Sequence, residues 1–182
     1  MKVAGIDFFD GLVNTTLRNQ IITYIMSSTF GIGWPDSSIG PKSAYKYLHS
    51  RYNKEELIAS GLGNIILTSP EIAPLIEGKE LTRCIVNLTH TGDINFAHTH
   101  PTGEIVVLYY ANLDWLPEWR GETMFYNDDC SEIIYASRYT PGRIVVFDAT
   151  IPHAINPQSS IGPQNRFTVA ISFNTMPPKV EI

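Results

Sequence analysis

His98-Thr99-His100 sets two imidazoles two residues apart. On a strand that spacing points both rings to one face. Two neutral nitrogen donors on one face are what a divalent first-row metal needs. His153 stands well downstream, after the Pro141-Gly142 turn and the apolar run ending in Phe147-Asp148. A third imidazole at the end of a separate strand can meet the first two across a barrel. Arg166 opens an alternating segment in which Phe167, Val169, Ile171 and Phe173 share one face. Arg166, Thr168, Ala170 and Ser172 share the other. An arginine on a small-residue face suits a carboxylate, because its planar fork can bind both oxygens.

The elements that must carry these residues fall into two zones. In residues 1–81 the steps between Leu17, Ile21, Ile22 and Ile25 predict an amphipathic helix over 15–28, with Asn14 as its N-cap. A short helix is expected over 53–60, ending before Gly61 and Gly63, and a third beginning at Ser69-Pro70-Glu71. The stretch 31–41, crowded with Gly and Pro around Trp34, reads as a loop. Beyond residue 82, strands are expected over 83–88, 104–112, 122–126, 132–136, 143–148 and 166–174. Short strands rich in Val, Ile, Tyr, Phe and Thr, separated by turn residues, predict an antiparallel sandwich or barrel. The fold class is therefore mostly β with N-terminal helices (α+β).

At 182 residues one domain is the default. A net charge of -5 disfavours a general nucleic-acid binder, which needs a basic surface to neutralise phosphates. No apolar run approaches the roughly 20 residues that span a bilayer, and no signal segment is visible before Asp7. Cys84 and Cys130 form no CxxC pair, which fits a reduced, cytoplasmic setting.

Taken in order, the HxH, the Leu108-Tyr109-Tyr110-Ala111-Asn112-Leu113-Asp114-Trp115 run, Trp119-Arg120-Gly121-Glu122-Thr123, Pro152-His153 and Arg166 resemble the prolyl-hydroxylase-like branch of the Fe(II)/2-oxoglutarate-dependent oxygenases. The resemblance spans about residues 83–174. It implies one domain over 1–182, with a helical support region over 1–81 and a double-stranded β-helix, a jelly-roll or cupin-like barrel, over 82–176. It further implies Fe(II) and O2, with 2-oxoglutarate as co-substrate. The activity implied is hydroxylation of a C–H bond in a peptidyl (prolyl-like) or small-molecule substrate, with release of succinate and CO2. By the same resemblance His98 and His153 are metal ligands. Arg166 and Tyr110 hold the far carboxylate of 2-oxoglutarate, and Thr168 assists.

His100 departs from the family pattern, which has Asp or Glu there. Three readings stay open: a three-imidazole site of His98, His100 and His153; a substitute carboxylate, Glu104 or more remotely Asp93; or a vacant position open to another ligand. The same-face spacing of residues 98 and 100 favours the first. The Pro101-Thr102-Gly103 turn weakens the case for Glu104. An imidazole site is expected to release metal on acidification through about pH 6. The histidine pattern with Glu104 also resembles a metal-binding cupin, a barrel that needs no dedicated 2-oxoglutarate arginine. His90, in the loop before the HxH, reads as a solvated loop histidine with contact to substrate or co-substrate as the alternative, and His49, in a polar stretch, is given no role. The loops 31–41, 89–95 and 158–164 are expected around the barrel mouth.

Overall fold

The computed structural model describes residues 2–34, 42 and 45–175. Asn14 caps the first helix, α1 (Thr15–Met26), by accepting from the Leu17 amide at 2.9 Å. Its apolar stripe, Ile21, Ile22 and Ile25, is buried. The second helix, α2 (Lys54–Ala59), starts with a capping box, in which Asn53 and Glu56 bond each other's backbone amides at 2.8 and 2.7 Å.

The third helix lies elsewhere than expected. Helix α3 covers Leu62–Thr68, and Ser69, predicted to open a helix, closes this one; only a single tight turn over Ala73–Leu75 follows. The glycines that suggested a break instead permit close packing. A Cβ on Gly63 would lie 3.0 Å from backbone atoms of Ile58 and Leu57, so α3 rests directly on the α2 backbone.

The strands before residue 82 are a second correction, since this zone is not only helical. Strands β1 (Lys2–Val3) and β2 (Ile6–Phe9) add to one edge of a large sheet. Strands β3 (Gly31–Trp34) and β4 (Tyr47–Arg51) add to the other. At two to five residues they are too short for alternation to declare them. Part of the expected 31–41 loop is thus strand, and 35–41 lies outside the described residues.

The later strands fall close to their expected places: β5 (Glu80–His90), β6 (Ile105–Tyr110), β7 (Thr123–Tyr126), β8 (Ile133–Ser137), β9 (Ile144–Asp148) and β11 (Asn165–Asn174). Between the last two lies the short β10 (His153–Ile155). The large sheet runs β1-β2-β9-β6-β11-β5-β4-β3 and the small one β10-β7-β8, with antiparallel pairings throughout.

Alternation along the central strands divides the interior in two. Val107 and Tyr109 of β6, Ile144 and Val146 of β9, and Phe167, Val169, Ile171 and Phe173 of β11 face the helices, packing with Ile21, Ile25, Leu57 and Ile66. The opposite residues, Val106, Leu108, Tyr110, Val145 and Phe147, pack toward the small sheet with Phe125. The polar members of that second face, Arg166 and Thr168, line a cavity between the sheets. Among the described residues no helix is long and apolar enough to cross a membrane.

The clash at Gly63 is with backbone, which cannot rotate away. Gly63→Ala should therefore destabilise the protein by about 1–3 kcal/mol. Equilibrium urea unfolding checks this, and an unchanged midpoint would refute the close packing of α3 on α2.

Candidate active site

The cavity lies between the two sheets. Strand β5 presents Arg83, Ile85, Asn87 and Thr89 to it, and β11 presents Arg166, Thr168 and Ala170, as same-face alternation requires. His98, His100 and His153 form one wall.

Backbone pairing brings the histidines together. His98 and His153 form an antiparallel bridge with reciprocal N–H···O bonds of 3.1 and 3.0 Å. Directly opposed residues of such a bridge project their side chains to the same side. The His100 amide donates to Ala149 O at 2.9 Å, which fixes the segment two residues on. The ring centroids lie 4.6 Å apart for His98–His153, 5.0 Å for His98–His100 and 5.2 Å for His100–His153. One candidate ligand atom from each ring lies within 4.8 Å of the others. Thus the structure brings together all three histidines singled out in the sequence. Residues 99–100 are not in a strand; the bridge, not a continuous strand, aligns them.

Two of the rings are turned by carbonyls. His98 Nδ1 lies 2.9 Å from Phe96 O and His153 Nδ1 lies 2.9 Å from Ile151 O. A carbonyl only accepts, so each Nδ1 carries its hydrogen and each Nε2 keeps a lone pair. Burial, reinforced by the neighbouring rings and Arg83, pushes the pKa of His100 down to about 2. Burial and His98 push His153 down to about 3, against a bond to Ile151 that favours the charged form. Both rings are neutral, as metal donors must be.

Glu104 is not part of the imidazole cluster. It is buried, and its Oε1 accepts from Arg83 Nη2 at 2.8 Å. Asp93 accepts from the His90 amide at 2.7 Å.

At the other end of the site Arg166 has no exposed surface. Its Nε donates to Gly121 O at 3.0 Å, and its guanidinium lies 4.7 Å from the Tyr139 ring centroid. Gly121 has φ +80°, and a Cβ there would lie 3.2 Å from both Arg166 and Trp115. The glycine therefore allows the loop to press against the arginine. Nη1 and Nη2 of Arg166 have no partner, nor does the buried Thr168 Oγ1. Burial draws the Arg166 pKa down, while Tyr139, Tyr110 and Glu122 oppose that shift. Two guanidinium nitrogens and a hydroxyl left unpaired on one cavity face amount to a socket for an anion with two oxygens.

Tyr110 stands beside that socket, its ring centroid 5.9 Å from the Arg166 guanidinium, without lining the cavity. Its ring stacks on Tyr139 at 4.7 Å, and its hydroxyl donates to Thr123 Oγ1 at 2.9 Å. Thr123, not Tyr110, lines the cavity, and its own hydroxyl hydrogen remains to donate. Thr123 and Arg83 are site residues missed in the sequence. Parity with Ile85 and Asn87 was the available signal for Arg83.

No family model and no curated protein sequence matches the chain. Solved structures do. A prolyl-4-hydroxylase from Pseudomonas putida is 14% identical, with TM-score 0.65 over 93% of this chain and 92% of that one. A prolyl hydroxylase from Trichoplax adhaerens, in complex with a hypoxia inducible factor peptide fragment, is 13% identical, with TM-score 0.66 over 94% and 84%. HygX from Streptomyces hygroscopicus, with nickel and 2-oxoglutarate bound, is 8% identical, with TM-score 0.68 over 93% and 82%.

The depressed histidine pKa values give a pH dependence with a definite sign. Unfolded histidines titrate near pH 6.5. Below that pH the unfolded chain binds protons that the buried rings refuse, so this contribution is full above pH 6.5 and is lost as pH falls toward 3. The urea midpoint of the metal-free protein should drop between about pH 7 and about pH 4, and less so in His153→Gln. An identical slope in wild type and His153→Gln would contradict the burial of a neutral ring.

The double-stranded β-helix of this chain is the fold that these prolyl hydroxylases and 2-oxoglutarate-binding proteins share.

Proposed function

We propose that the protein is an Fe(II)- and 2-oxoglutarate-dependent dioxygenase. The observation that carries this reading is the pair of orphaned, fully buried donors on Arg166, in one cavity with three clustered imidazoles. Burying a cation with unmet donors costs several kcal/mol. A carboxylate would offset that cost, and a dicarboxylate has a second end with which to reach the imidazoles. The structural relatives supply the chemical class: HygX holds nickel and 2-oxoglutarate in the same fold.

The donor set fits such a metal. His98 and His153 present Nε2 lone pairs from rings fixed by carbonyls, and the His100 ring lies beside them. Bound Fe(II) would supply the activation of O2, coupled to conversion of 2-oxoglutarate into succinate and CO2. The chain's own part is positional. Arg166 would grip the distal carboxylate through Nη1 and Nη2, with Thr168 adding a third hydrogen bond. Thr123, with its hydroxyl turned by Tyr110, would stand beside them. Leu108 and, nearer the imidazoles, Val106 and Phe147 line the cavity with apolar surface and exclude water. Tyr47, Asn87 and Asn95 also line the cavity, and the C–H donor would be a peptidyl or small-molecule group whose hydroxylation is the default outcome. Cys84 and Cys130 are both free, in keeping with a reducing, cytoplasmic setting.

Purified protein should form succinate from 2-oxoglutarate only when Fe(II) is present. His98→Ala and His153→Ala should each abolish this and lose bound metal, measured by mass spectrometry. Arg166→Ala should keep its metal and weaken 2-oxoglutarate binding tenfold or more by calorimetry. Thr168→Val should cost on the order of 1 kcal/mol. Equal 2-oxoglutarate affinity in wild type and Arg166→Ala would refute the co-substrate site.

A further inference from the structure

Arg83 is the cationic cavity residue that the dicarboxylate reading leaves unused. Its Nη2 lies 2.8 Å from Glu104 Oε1, 2.9 Å from Ser172 Oγ and 3.2 Å from His100 Nδ1. A guanidinium donates and never accepts. Nη2 has two hydrogens for these three partners, so one is shared; the His100 nitrogen that it faces is then an acceptor, and a neutral imidazole that accepts at Nδ1 carries its hydrogen on Nε2. The other two rings are set the opposite way, because carbonyl oxygens face their Nδ1 atoms. The cluster thus holds two rings with Nε2 lone pairs and one with an Nε2–H.

We infer that Arg83 is a positioning residue that fixes His100 as a hydrogen-bond donor at the metal centre, while His98 and His153 supply the protein's ligating lone pairs. This rests on the reading of the cavity as a metal site. Glu104 and Ser172 are buried and hold the guanidinium against the ring. The carboxylate considered in the sequence as a substitute ligand therefore acts one step back, through Arg83. The third position that a protein ligand would fill is left to an external ligand, to which the His100 N–H can donate.

The tautomer is measurable in the metal-free wild-type protein by long-range 1H–15N correlation. The expected result is a proton on Nε2 of His100 and on Nδ1 of His98 and His153; a proton on Nδ1 of His100 would overturn the inference. Binding of Co(II) alone, measured by calorimetry, gives a second test. His100→Ala should change affinity less than threefold, and a loss matching that of His98→Ala would overturn the assignment. Arg83→Gln offers an amide oxygen to an Nδ1–H and so frees Nε2 to ligate. Its Co(II) affinity should rise tenfold or more, a gain within the range by which groups behind metal ligands act. That gain should vanish in Arg83→Gln/His100→Ala, and Arg83→Lys, still only a donor, should stay at the wild-type value. No gain in folded Arg83→Gln would count against the inference. Co(II) binding indifferent to His98→Ala would sink the metal site itself, a failure separable from that of the tautomer because the tautomer is read without metal.

Discussion

Arg166 stands at the start of β11 with none of its surface exposed, so its charge must be met inside the protein. Much of the neighbouring structure does part of that work. Gly121 takes a left-handed backbone conformation that brings its carbonyl to Nε and leaves room for the side chain. Tyr139 lays its ring beside the guanidinium, and its own hydroxyl bonds Phe167 O at 2.5 Å, locking it to the adjacent residue of β11. What remains unmet is the fork itself, Nη1 and Nη2, facing the cavity. Proteins seldom leave such donors dry, and the shape of the deficit matches a carboxylate.

The imidazole side is built by different means. The imidazoles depend on backbone pairing between a loop and the first residue of β10, a pairing that also joins the region between β5 and β6 to the small sheet. Each ring is then turned by a group behind it: a carbonyl for His98, a carbonyl for His153 and a guanidinium for His100. Carbonyl and guanidinium impose opposite tautomers, so three residues of one type are chemically unequal. The Arg83–Glu104–Ser172 group supplies that asymmetry from β5, the turn before β6, and β11.

The alternation of Phe167, Val169, Ile171 and Phe173 against Arg166, Thr168, Ala170 and Ser172 was legible in the sequence, because period two is a local property that pairing only reinforces. The histidine cluster was legible through spacing and resemblance together. What was not legible depended on partners distant in the chain. Arg83 gained its meaning only once β5 lay against β11, setting Arg83 opposite Ser172. Tyr110 was assigned to the carboxylate by resemblance; in the fold it stacks on Tyr139 beside Arg166 and reaches the cavity through its bond to Thr123. Helix α3 was hidden because Gly63, a helix breaker in local terms, is what lets two backbones touch.

The most direct measurement is a crystal structure of the protein grown with nickel and 2-oxoglutarate. Electron density is expected for one carboxylate against Nη1 and Nη2 of Arg166 and Oγ1 of Thr168, with the keto-acid end at a metal bonded to Nε2 of His98 and of His153. A 2-oxoglutarate molecule bound away from Arg166, or a metal that ignores His98 and His153, would contradict the site described above.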